Sequence, residues 1–132
     1  MPKKIKKQNE KPNKIIGLVE NNPELDYPVF CFRYLQTTPQ KDYKFYANFI
    51  ERLKKLSNMS WNEINTSQRH GFGTEKMPVS QIKSLPKFIS PDVSYLTVFR
   101  AAGDNRTFLG LRVKSVFHII FIEEKFNDIY NH

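Results

Sequence analysis

The chain has one cysteine, Cys31, in 132 residues. A single thiol excludes an intramolecular disulfide and any multi-cysteine zinc site. Within Val29-Phe30-Cys31-Phe32 it reads as a small buried apolar residue and not as a nucleophile. Long hydrophobic runs are missing too. No stretch approaches the roughly 20 apolar residues of a membrane span, and Phe117 to Ile122 is strand-sized, so a soluble, cytoplasmic protein with no membrane partner is expected. The basic first segment leads into polar residues instead of an apolar stretch with a small-residue cleavage site, which argues against a secretory signal. Histidine is scarce: His70, His118 and His132 show no i, i+4 spacing and no acidic residues cluster with them, so no metal or other cofactor is expected. A P-loop, a dinucleotide-binding glycine pattern and a serine-hydrolase elbow are all lacking.

Acidic residues are in deficit, 13 Asp+Glu against 21 Lys+Arg, for a net charge of +8. That balance favours an anionic partner and salt-sensitive association, although solvated surface lysines have the same signature. With 39% hydrophobic residues the chain suits one domain. Residues 1–14 carry six lysines and two prolines with little that is apolar, and read as a disordered basic tail ahead of a single domain over 15–132.

Pro28 to Leu35 is dense in aromatic and β-favouring residues and predicts a strand. Thr38-Pro39 resembles a helix start, and Tyr46, Phe49, Ile50, Leu53 and Leu56 recur at helical spacing. Ser60-Trp61-Asn62-Glu63 has the form of a capping box, so a second, short helix begins at Trp61 and ends near Ser67. A further helical turn is expected within Val79 to Leu85, bounded by Pro78 and Pro86. From Val93 the period becomes two. One strand runs to Arg100, Gly103-Asp104-Asn105 makes a hairpin turn, Arg106 to Val113 returns, and Val116 to Ile122 is apolar enough to be covered on both faces. The expected fold is α+β: an N-terminal strand, two helices on one face, then an antiparallel meander of three or four strands.

What remains for chemistry is imidazole and cation. These suit metal-independent RNA cleavage, in which a base deprotonates the 2′-hydroxyl, cations stabilise the charged phosphate and an acid protonates the leaving oxygen. His70 sits beside Arg69 in a glycine-flanked loop and is a candidate for proton transfer, or an ordinary loop histidine. His118, alone in the most apolar strand, reads as a buried hydrogen-bonded core residue ahead of a nucleic-acid contact. Arg100 and Arg112 near strand ends suit bidentate phosphate contact, and pairing with Glu75 or Glu123 is the alternative. Lys76 reads as a phosphate contact or as half of an ion pair with Glu75, and Arg69 and Arg106 add basic charge for nucleic acid. Tyr130 and His132 either close over a site on the sheet or fray.

The order of elements, with Phe99-Arg100, Arg106 to Arg112, Val116-Phe117-His118-Ile119-Ile120-Phe121-Ile122 and a tyrosine near the end, resembles the RelE/ParE superfamily of bacterial toxins over roughly residues 28–132. The resemblance implies a small basic endoribonuclease that cuts RNA, often ribosome-bound mRNA, without metal, and an antitoxin that holds it inactive. It also implies catalytic roles for Arg100, Arg112, Tyr130 and His132, beside the candidate His70. The competing expectation is a non-enzymatic phage or bacterial protein whose basic face engages nucleic acid or a nucleic-acid machine. A topoisomerase-binding toxin is a third.

Overall fold

The computed structural model describes residues 26–68 and 71–132. The expected basic tail, everything through residue 25, Arg69 and His70 lie outside the described residues. The chain forms β1 (Val29–Cys31), α1 (Tyr43–Ser57), α2 (Trp61–Thr66), β2 (Glu75–Pro78), β3 (Tyr95–Arg100), β4 (Thr107–Val113) and β5 (Val116–Ile122). Among the described residues it is an α+β fold with two helices and a five-stranded, mostly antiparallel sheet in the order β1-β5-β4-β3-β2, in which β1 runs parallel to β5 and the other pairs are antiparallel.

Local chemistry accounts for the helix ends. Asp42, not Thr38, caps α1: its carboxylate accepts from the Phe45 amide at 3.1 Å. Thr37 is otherwise engaged, its hydroxyl bonding the Ile122 amide at 2.7 Å and so tying this segment to the end of β5. The helix therefore begins later than Thr38-Pro39 suggests. At α2 the reciprocal capping box forms, with the Glu63 amide donating to Ser60 Oγ and the Ser60 amide to Glu63 Oε1. Phe45, Phe49, Leu53 and Leu56 of α1 are buried, whereas Ile50, expected on that face, is 58% exposed.

Three further expectations change. The strand expected over Pro28 to Leu35 shrinks to three residues, because a turn closed by the Leu35 amide on the Phe32 carbonyl ends it. Cys31 is half-buried and free. The helical turn expected within Val79 to Leu85 is only a 3-10 turn at Val79–Gln81, and the preceding four residues form β2, which the sequence did not announce.

Both faces of the sheet are covered. The helices pack Phe49, Leu53, Trp61 and Ile64 on Phe99, Phe108, Phe117 and Ile119. On the opposite face Leu96, Val98, Leu109, Ile120 and Phe121 gather Ile82, Ile89 and Tyr130 from irregular segments. A bulge between Leu109 and Gly110 lets Ile120 and Phe121 serve this second cluster together. Glycine is required there, since a Cβ at Gly110 would run into the His118 carbonyl oxygen. No helix among the described residues is long and apolar enough to cross a membrane.

Candidate functional site

The nominated residues that the structure describes separate into four places. The first lies where β5 ends, on the face away from the helices. Glu123 follows β5 directly and is 0% exposed. Its amide donates to the Thr107 carbonyl at 2.8 Å, which fixes the carboxylate beneath the start of β4. There Oε1 accepts from the Thr107 amide and hydroxyl, both at 3.1 Å, and Oε2 from the Asn127 amide at 2.7 Å. His132 Nε2 lies 2.9 and 2.8 Å from the two carboxylate oxygens. A buried carboxylate is tolerable only with its lone pairs met in this way.

The chain reaches that geometry through a tight turn. Asn127 adopts φ 70°, its side-chain oxygen accepts from the His132 amide at 2.8 Å, and Lys83 Nζ donates to its carbonyl at 2.6 Å. The His132 ring is sandwiched between Phe126, with centroids 4.1 Å apart, and Tyr130, at 4.4 Å. The Tyr130 and Thr107 hydroxyls are 3.4 Å apart. Burial raises the Tyr130 phenol above its ordinary range, the Glu123 and Glu75 charges add to the rise, and Thr107 and Arg100 oppose it. Arg100, Tyr130 and His132 therefore share one electrostatic neighbourhood, with Glu75, Thr107 and Glu123 among them.

Arg100 Nη1 donates to the Asp104 carbonyl at 3.1 Å and to Asn105 Oδ1 at 2.7 Å. On its other flank stands Arg52 of α1, whose guanidinium pKa is lowered, first by burial and then by the charge of Arg100. Arg52 donates to the Gly71 carbonyl at 3.1 Å and lies 4.8 Å over the Phe72 ring. Sequence reasoning missed both Arg52, hidden among the charges of an amphipathic helix, and Glu123, which reads as a strand-ending surface acid.

Arg106 occupies a second place, as a clasp. Its guanidinium bonds Asp104 at 2.8 Å, approaches Asp42 at 3.5 Å, donates to the Glu124 carbonyl at 2.9 Å and lies 4.3 Å over Phe45. Burial would raise the Asp104 carboxyl, but hydrogen bonds and charge from Arg106 outweigh it and hold it below the usual carboxylate range.

Arg112 and Lys76 line a third place together, an open cleft of about 440 Å³ between α2 and the β2 side of the sheet. Arg112 lies 4.2 Å over Trp61, pairs with Asp26 at 3.0 Å and donates to the Lys114 carbonyl at 2.6 Å. The Lys76 ammonium sits 4.7 Å over the Tyr95 ring.

His118 is alone in the fourth place. It is half-buried, its ring centroid is 5.4 Å from that of Tyr34, and its buried Nδ1 makes no hydrogen bond among the described residues, unlike the satisfied core histidine expected. No group of three or more His, Cys, Asp or Glu among the described residues could hold a metal ion. No family model matches the chain, and neither a curated protein nor a solved structure matches it.

Proposed function

We propose that the protein is a RelE-like, metal-independent endoribonuclease whose proton-transfer group is His132. The observation that carries the proposal is the Glu123–His132 pair: a fully buried carboxylate grips Nε2 and leaves Nδ1 without a hydrogen bond among the described residues. A base oriented by a second group in this way is the usual preparation of an imidazole for proton transfer. With Nε2–H donating to Glu123, Nδ1 takes the proton of the 2′-hydroxyl. The 2′-oxygen then bonds to phosphorus as the bond to the 5′-oxygen breaks, leaving a 2′,3′-cyclic phosphate. Arg100 stabilises the phosphate charge, and Tyr130, kept neutral by burial, protonates the departing 5′-oxygen. Ribosome-bound mRNA as the substrate, an antitoxin as the partner and a cytoplasmic location belong to the same proposal and rest on the resemblance alone.

A second reading has its own support. Tyr130 is 2% exposed, the His132 ring lies between two other rings, and Arg106 donates to the Glu124 carbonyl. That arrangement also suits a lock holding residues 123–132 on the sheet of a protein that binds nucleic acid, or a nucleic-acid machine, without cutting.

Cleavage of labelled mRNA in excess EDTA, with and without ribosomes, decides between them. Cutting that falls at least a hundredfold in His132→Gln while the thermal transition moves little supports the enzyme. Intact RNA under all conditions, with salt-sensitive binding retained, selects the binding protein.

A further inference from the structure

The cleft holding Lys76 and Arg112 lies on the opposite face of the sheet from the Glu123–His132 pair and takes no part in the chemistry above. Its lining is mixed in a particular way. Tyr95, 38% exposed, offers an aromatic face, and Lys76 already rests a cation on it. Asn65 on α2, Thr74, Ser94 and Thr97 supply an amide and hydroxyls, and Asp92 is a carboxylate held by the Ser90 hydroxyl. Arg112 forms the far wall, its plane fixed over Trp61.

An exposed ring for stacking, amide and hydroxyl groups that both donate and accept, and a lysine at the rim are what a nucleic-acid base with its phosphate requires. The volume, about 440 Å³, falls in the range of small-ligand sites. A duplex shows only the edges of its bases, so stacking on the Tyr95 ring suits a splayed single strand and not a double helix.

The edge strand β2 connects the cleft to the other face. Glu75 pairs with Val98 and faces the side where its charge is felt by Tyr130, while the next residue, Lys76, faces the cleft. A single strand that rounds this edge meets both places. We infer that the cleft is a nucleotide-binding subsite for single-stranded RNA, in which a base takes the place of the Lys76 ammonium on the Tyr95 ring and that ammonium meets the phosphate. The inference rests on the reading of the protein as one that acts on RNA, and adds a site that the cleavage chemistry does not need.

The test uses the full chain and a fluorescent, mixed-sequence 2′-O-methyl RNA single strand, which cannot be cut because its nucleophile is blocked. Anisotropy titrations compare it with the same sequence as a duplex and with AMP. Tyr95→Ala is expected to weaken single-strand binding about 5- to 160-fold, the range for one stacked base. Lys76→Gln should weaken it several-fold and lower the salt slope by about one. Both side chains are at the surface, and unchanged thermal transitions would establish that the variants fold. Asn65→Ala, on a different element, supplies an independent loss. Affinity unmoved by Tyr95→Ala and Lys76→Gln overturns the subsite even where the wild type cuts RNA. Binding lost in these variants, with no cutting by the wild type, upholds the subsite and removes the enzyme. Duplex binding as tight as single strand, or AMP competing at equal affinity, overturns it as well, since the ligand is then a backbone or a free nucleotide.

Discussion

On the helix side of the sheet Phe99 and Phe108 stack with centroids 4.9 Å apart, Phe117 meets Phe99 edge-on at 5.0 Å, and Phe49 meets Phe108 at 5.3 Å. On the other side the core is mainly aliphatic, drawn from Leu96, Val98, Leu109 and Ile120, and a buried carboxylate stands at its border. The first face is held by ring packing that no change of protonation disturbs. The second is held in part by hydrogen bonds to a charge, which are strong when complete and costly when one partner is lost. The Glu123–His132 pair stands on the second face, where coverage among the described residues comes from turns and from residues 123–132. Such segments can set a side chain at an angle that a helix cannot.

Three measurements test that contrast. The largest effect is expected from Phe108→Ala, which opens a cavity in the middle of the aromatic stack and should lower unfolding free energy by about 3–5 kcal/mol, equally at neutral and acid pH. A loss that varied strongly with pH would dissolve the distinction between the faces.

Glu123→Gln comes next. It keeps the shape, removes the charge and leaves one amide hydrogen pair where only acceptors are wanted. Urea titration at neutral pH should show a cost of about 1–3 kcal/mol. A neutral or stabilising result would mean that the carboxylate is retained for chemistry and not for the fold.

The smallest effect concerns Tyr130. An unfolded tyrosine ionises near pH ~10, and burial raises the folded phenol above that. Stability linked to Tyr130 is therefore intact below pH about 10 and is lost as pH rises through the raised folded value. Unfolding midpoints measured on either side of that window should fall more steeply in the wild type than in Tyr130→Phe. Parallel slopes would show that the phenol is not sequestered in solution.

Much of the fold was legible in particular residues. The capping box at Ser60 and Glu63 placed α2, and the period-two runs from Val93 placed β3, β4 and β5 within two residues at their ends. These are local signals, set by hydrogen bonds three residues apart or by alternation along one strand. The start of α1 was not legible, because the choice between Thr38 and Asp42 depends on the neighbouring Thr37 being claimed by Ile122, 85 residues away. Strand β2 was hidden for a similar reason: Glu75–Pro78 has no alternation of its own and is a strand only because it pairs with β3.

The candidate site was less legible than the fold. Arg100, Tyr130 and His132 do share a neighbourhood, but Arg106 and Arg112, equally basic in the sequence, are tied to Asp104, Asp42 and Asp26. Glu123 gave no sign of its burial.

The α+β class, the two helices, the meander and the positive charge follow from periodicity, capping and composition, which act over a few residues or over the whole chain at once. Long-range pairing settles which arginines serve as internal clasps, that Glu123 sits beneath Thr107 and grips His132, and that Lys76 and Arg112 line one cleft. Those outcomes depend on strand register and on the bulge at Gly110, where a shift of one residue exchanges the two faces of the sheet.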